Sequence, residues 1–213
     1  MHLGIIPVFR GMQVTIIADK KAKDEWLSHG QQDGVLINWL EDLQPVPASP
    51  GILADLLFSP YESRISMLLE SSADLVVINS VEHTLSETHE SFVRINGWKT
   101  FLGSAEVEAS AITPEKREAA EKLFSLFNKT IAWVPDITGF ITPRITASII
   151  NEAYLALSEQ VSTREDIDTA MKLGTNYPYG PFDWADQIGK AKIHALLTRL
   201  AMEHGRYTPA FQL

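Results

Sequence analysis

Residues able to carry acid–base or metal chemistry gather in one acidic stretch, Ser80-Val-Glu-His-Thr-Leu-Ser-Glu-Thr-His89. Histidine titrates near neutral pH and serves as a general base or as a metal ligand. A metal site would draw on His83 and His89 with Glu87 or Glu90. That spacing puts no two histidines on one helical turn, so no metal is expected. Taken alone, the pair reads as surface histidines on an acidic helix or loop. His194 and His204 fall in the last helical stretch, where a histidine near the C-terminal end suits the helix dipole. Asp19-Lys20-Lys21-Ala22-Lys23 offers three ammonium groups, read either as an attraction for an anion or as a solvated helix start. There is no cysteine, which excludes disulfides, thiolate metal sites and a cysteine nucleophile.

Composition narrows the partners. The chain has 213 residues and a formal net charge of −9, with 45% hydrophobic residues, enough for a core. An acidic chain has no basic stripe to displace counterions, so nucleic acid is not an expected partner. No apolar run reaches the length of a membrane span. The opening Met1-His-Leu-Gly-Ile-Ile-Pro7 lacks a basic leader and is broken by proline, so no signal peptide is expected and the cytoplasm is the expected compartment.

These residues need a frame. Val14–Ala18, Gly34–Leu40, Ile52–Phe58 and Ala73–Ile78 read as buried strands, separated by helical stretches at Lys20–His29 and Tyr61–Ser71. Continuous apolar strands alternating with helices predict a parallel sheet covered on both faces. Pro45, Pro47 and Pro50 make Asp42–Gly51 a loop. Thr113-Pro114 starts a helix through Phe127, and Ile131–Val134 is a last strand. Beyond Pro135-Asp136 everything reads helical. Thr142-Pro143 repeats the capped start, and Ile145, Ile149, Ala153 and Leu157 form a stripe at spacing four. Ser162-Thr-Arg-Glu165 reads as a capping box and Gly174 as a stop, followed by a helix from about Lys190 to His204. The expected organisation is an α/β domain over residues 1–135 and an all-α domain over 136–213. The second is small for a core of its own, so its stripes must dock on the first domain, on a second copy, or on both.

Three segments carry a resemblance: Gly139-Phe-Ile-Thr-Pro-Arg-Ile-Thr-Ala-Ser-Ile-Ile-Asn-Glu-Ala-Tyr154, Thr163-Arg-Glu-Asp-Ile-Asp-Thr-Ala-Met-Lys-Leu-Gly174, and Tyr177-Pro-Tyr-Gly-Pro-Phe-Asp-Trp-Ala-Asp-Gln-Ile-Gly189. Their order closely resembles the C-terminal domain of the 3-hydroxyacyl-CoA dehydrogenase family. The match is looser over residues 54–135 and holds only in outline before that. The resemblance implies a Rossmann-like domain, here with a shortened parallel sheet, followed by the helical domain. It implies oxidation of a 3-hydroxyacyl-CoA in fatty-acid metabolism, NAD as cofactor, and a homodimer formed by the helical domain as it closes over acyl-CoA.

Carried over position by position, the family's catalytic glutamate falls on Glu108, in Glu106-Val-Glu108, and its catalytic histidine on Asn96. Its substrate-binding asparagine falls on Pro143, and its hydroxyl-bearing serine is nearest to Ser80. Asparagine cannot exchange a proton near neutral pH, and proline offers no side-chain donor. A dinucleotide-binding turn also needs G-x-G-x-x-G, whereas Asp19–Lys23 has no glycine and sets a carboxylate where a phosphate would lie. These departures predict weak or absent NAD binding in the usual mode. His83 or His89, brought toward Glu108 by a loop, is the available replacement base. Tyr177, Tyr179 and Phe182 mark the turn that the resemblance places near the acyl cleft and subunit interface, with plain core packing as the other reading. Two classes of function stay open: a divergent dehydrogenase with little activity, and a non-catalytic dimeric protein that binds acyl-CoA or supports an assembly.

Overall fold

The computed structural model describes residues 13–44 and 50–213. The readings of the first ten residues, and of Pro45 and Pro47 as loop residues, lie outside them. Seven strands form one sheet: β1 (Gln13–Ile17), β2 (Ile37–Leu40), β3 (Gly51–Asp55), β4 (Leu75–Asn79), β5 (Val93–Ile95), β6 (Glu106–Ser110) and β7 (Thr130–Trp133), in the order β2-β1-β3-β4-β5-β6-β7. From β2 to β5 every pairing is parallel. The switch from β2 on one side of β1 to β3 on the other is the doubly wound signature, and the usual third strand outside β2 is missing among the described residues.

The expected parallel sheet is observed in every pairing but one. β6 runs antiparallel to β5, with Ile95 opposite Ala109, and β7 then follows β6 in parallel. The stretch from Asn96 to Ala105 holds no helix, and a parallel connection requires a long crossover. The chain therefore reverses. The strand expected over Ile52–Phe58 also ends early, at Asp55, where a turn begins.

Helices cover both faces. On one face α1 (Lys20–Trp26) and α3 (Pro114–Ser125) meet through Trp26, whose ring lies 5.0 Å from Phe124 and 5.2 Å from Phe127. On the other, Leu68 of α2 (Glu62–Glu70) packs with Ile17, Leu53, Val76 and Ile78. Burial of such residues at roughly 25 cal/mol per Å² is the main force holding the layers.

Four helices follow: α4 (Thr142–Ser158), α5 (Arg164–Thr175), α6 (Pro181–Ile188) and α7 (Lys190–Glu203). Their common core includes Phe140, Ile150, Tyr154, Leu196 and Leu200, and it also takes in Val81 and Trp98 from the sheet half. The helical half thus completes its core on the sheet. Three local readings are corrected. Thr163, not Ser162, caps α5, accepting from the amide of Asp166, because the helix begins at Arg164. α5 runs past Gly174 and stops at Asn176, whose φ of 56° is left-handed. Thr142 does not cap α4: it is the first helical residue, and its hydroxyl points elsewhere. No helix among the described residues is long and apolar enough to cross a membrane.

Candidate functional site

In an open α/β sheet the ligand crevice lies beyond the carboxyl ends of the strands, at the switch point. Here that edge is assembled from Asp19 after β1, Asp55 closing β3, Asn79-Ser80 after β4, and Asn96–Thr100 after β5. Asp19 caps α1: its Oδ1 accepts from the amide of Ala22 at 2.7 Å. Its Oδ2 lies 3.9 Å from the ammonium of Lys99. The donor that a pyrophosphate would take in a dinucleotide fold is already bonded, and the occupant is an anion. With no glycine in the turn, these residues do not fit a dinucleotide in the usual mode.

Beside it, Asp55 is fully buried and gripped by Arg64, Nε to Oδ2 at 2.6 Å and Nη2 to Oδ1 at 2.8 Å. Burial pushes the Asp55 carboxyl up, and the guanidinium opposes it. Asn79 ties three strand ends together. Its amide donates to the carbonyls of Leu56 and Gly97, and its oxygen accepts from Gly97 N–H at 3.0 Å. A Cβ on Gly97 would lie 2.5 Å from Asn79 Cγ, which explains glycine there.

Asn96 and Glu108 meet. Asn96 is 3% exposed, and its Nδ2 donates to Glu108 Oε2 at 3.2 Å, while the two backbones pair across β5 and β6. Glu108 in turn accepts from the amide of Thr142 at 2.9 Å and from its hydroxyl at 3.0 Å. The carboxylate therefore sits on the N-terminus of α4. All its side-chain partners are Asn96 and Thr142; neither can act as a base. Chemically this is a structural staple between sheet and helix: an amide and a hydroxyl hold the carboxylate.

The other sequence candidates are placed as follows. Ser80 is 3% exposed and donates its hydroxyl to the carbonyl of His83 at 2.9 Å. His89 bonds Ser91 through Nδ1 at 2.7 Å and packs on Phe92. His83 lies half-buried near Arg199, and burial followed by that charge lowers its pKa. Neither histidine bonds Glu108. Pro143 is buried at the start of α4. Phe182 is 1% exposed and sits edge-on to Tyr154 at 4.9 Å. Tyr177 and Tyr179 lean on Trp184 at 5.5 and 6.1 Å. The aromatic turn thus packs within its own helical half. Among the described residues no group of three or more histidine, aspartate or glutamate side chains could hold a metal ion.

Two features escaped sequence reasoning. Thr100 has φ of 77°, an outlier for a β-branched residue, and Glu25 of α1 fixes it by accepting from its amide at 3.0 and 3.2 Å. Arg94, fully buried, donates to the carbonyls of His83 and Ile137 at 2.8 and 2.6 Å and faces Asp136 at 3.3 Å. Burial lowers its pKa to about 10, which leaves it charged at neutral pH. Nothing local in either sequence segment signals partners tens of residues away.

Comparison with known proteins agrees with this frame. Residues 139–212 match the model of the 3-hydroxyacyl-CoA dehydrogenase, C-terminal domain. The 3-hydroxyadipyl-CoA dehydrogenase of Escherichia coli (strain K12) is 42% identical over 107 residues, 48% of this chain and 22% of that protein. A 3-hydroxybutyryl-CoA dehydrogenase of Clostridioides difficile is 38% identical over 89 residues, 41% of this chain and 32% of that protein. The matched part spans less than a third of either relative. In three dimensions the chain is similar to the (S)-3-hydroxybutyryl-CoA dehydrogenase of Ralstonia eutropha, with a TM-score of 0.72 and 19% identity, over 94% of this chain and 91% of that one. That likeness shows the fold: a Rossmann-like sheet domain followed by a helical domain.

Proposed function

We propose that this chain, whose residues 139–212 match the 3-hydroxyacyl-CoA dehydrogenase C-terminal domain, is a divergent, dehydrogenase-like member of that family with little or no turnover. In this reading it keeps the family's frame, forms a homodimer through the helical half, and recognises acyl-CoA in the cytoplasm without efficient oxidation of it. One observation carries the reading: Asn96, where the resemblance places the family's base, is buried and bonded to Glu108. Losing an acid–base group costs roughly 10²- to 10⁴-fold in rate. The dinucleotide turn filled by Asp19 and the missing donor at Pro143 compound that loss.

The two open classes differ in what remains. A dehydrogenase would need His83 or His89 as base, and Ser80 as hydroxyl partner of the substrate. The bonds these residues make favour the other class, a dimeric acyl-CoA-binding protein. The test is NADH consumption with acetoacetyl-CoA at high enzyme concentration, with Glu108→Gln as control and calorimetric binding of acetoacetyl-CoA alongside. Binding without turnover is the expected result. Turnover that disappears in Glu108→Gln would establish a working dehydrogenase and overturn the proposal, as would the absence of any acyl-CoA binding.

A further inference from the structure

Asn96 stands before Gly97, and no other asparagine of the chain precedes a glycine. Asparagine is a thermolabile residue, and a following glycine has no Cβ to shield its own amide nitrogen. In such a pair the glycine nitrogen gives its proton to a solvent base and attacks the asparagine Cγ. A new C–N bond closes a cyclic imide, and the side-chain nitrogen leaves as ammonia. Water then opens the ring at either carbonyl, giving aspartate or isoaspartate. One water enters and one ammonia leaves, with no change of oxidation state.

The fold both demands this pair and holds it. A Cβ at position 97 would lie 2.5 Å from Asn79 Cγ, so the Asn79 side chain requires glycine there. The same side chain clamps the residue from both ends: its Oδ1 accepts from Gly97 N–H and its Nδ2 donates to the Gly97 carbonyl, each at 3.0 Å. The attacking nitrogen is thereby capped. The attacked amide is held apart from it, with Asn96 Nδ2 donating to Glu108 Oε2 at 3.2 Å and Oδ1 accepting from Trp98 N–H at 3.3 Å. Asn96 is 3% exposed and Trp98 1%, which keeps water and base away as well. Ring closure needs these bonds to break together, in a local opening of the loop after β5.

We propose that Asn96–Gly97 is a deamidation site held shut by Asn79 and Glu108, which converts when the loop after β5 opens. The product matters because of where it stands. A carboxylate at position 96 faces Glu108, and two carboxylates at hydrogen-bond distance resist ionising together. Glu108 holds the amide and hydroxyl of Thr142. Conversion therefore loosens the start of α4 from the sheet, and refolding does not restore the lost amide.

Peptide mass spectrometry reads the conversion directly. Trypsin cuts after Arg94 and Lys99, so residues 95–99 leave as one peptide that contains no asparagine but Asn96. The full chain is incubated at mildly alkaline pH, folded or in urea, and then digested briefly at mildly acidic pH. The folded chain should keep the amide while the unfolded chain converts. Asn79→Ala, shown to be folded by circular dichroism, should convert faster than folded wild type by roughly tenfold or more, because losing a buried hydrogen bond lowers the cost of local opening. Conversion of that variant at the wild-type rate overturns the role of Asn79. If the variant does not fold, the wild type alone decides: equal rates in the folded and unfolded chain overturn the proposal. The consequence is read in Asn96→Asp, where hydrogen exchange at the Thr142 amide should speed up. Unchanged exchange there would mean that the two carboxyls share a proton, and would overturn the loosening of α4.

Discussion

Asn96, which the resemblance puts in the place of a base, does the work of a strut. Its amide gives Glu108 one hydrogen bond, and its oxygen accepts from Trp98 N–H at 3.3 Å. A histidine there would face the same carboxylate, and a nearby opposite charge favours the imidazolium. Asn96→His should therefore show an imidazole pKa above about 6.5 by NMR titration. A folded-state pKa raised in this way stabilises the protein below the unfolded value, and the gain is lost as pH rises through the folded one. NADH turnover should stay at background even so, because Asp19 still occupies the cofactor turn. An unshifted titration would mean that the introduced imidazole does not face the Glu108 carboxylate.

Arg94 makes the second residue-scale case. Its guanidinium reaches three segments, and its carbon centre lies 4.0 Å from the centroid of Phe140. Arg94→Met should lower unfolding free energy by about 3–5 kcal/mol, the cost of breaking a buried charged contact and orphaning its partners. Urea melts of the two proteins measure this, and a loss under about 1 kcal/mol would show that water replaces the lost bonds.

At the scale of elements, the α5–α6 pair explains a glycine that sequence alone leaves ambiguous. Asp168 of α5 accepts from the amides of Phe182 and Asp183 at 2.8 and 3.1 Å, so it caps α6 from outside. A Cβ on Gly180 would fall 2.2 Å from Asp168 Cγ, while its φ of −74° suits any residue. Space, not backbone freedom, requires glycine. Gly180→Ala should thus destabilise the wild type by about 1–3 kcal/mol, as overpacking does. In an Asp168→Ala background, itself costing about 1 kcal/mol for the lost cap, it should cost almost nothing further. Equal costs in both backgrounds would deny the steric coupling.

The same scale shows what could be read from sequence. Strands β1 and β4, and helices α3, α4 and α7, were legible because long apolar runs or stripes between clear caps leave one assignment. β5 has three residues, too few for a period, and the sharp reversal into β6 hid with it. Adjacent hydroxyls at Ser162 and Thr163 made the cap of α5 ambiguous by one position. At the site, the resemblance singled out Asn96 and Glu108, while their hydrogen bond was visible only in the structure. The grip of Thr142 on Glu108 spans 34 residues and arises only when the helical half docks.

Across the whole molecule, the two halves are joined by a polar seam beside a shared apolar core. Val81 and Trp98 enter the helical core, Gly139 N–H donates to Val81 carbonyl at 2.9 Å, and Leu85 N–H donates to Asp136 Oδ2 at 2.9 Å. Arg199 of α7 pairs with Glu87 of the sheet half, next to half-buried His83. Both titrating groups push in one direction. Burial, then the Arg199 charge, lowers His83 from 6.5, so the unfolded chain takes that proton first and stability falls as pH drops below about 6.5. For Glu87, burial raises the carboxyl, but the Thr84 amide and Arg199 outweigh it and hold it below 4.5. Its contribution is present above that value and is lost as pH falls through the folded pKa. Melting temperature should therefore decline in two stages on acidification, the upper stage vanishing in His83→Gln and the lower in Glu87→Gln. If His83→Gln melts in parallel with the wild type from pH 7 to 5, the seam does not sense that proton, and its strength rests on Arg94 and the buried core.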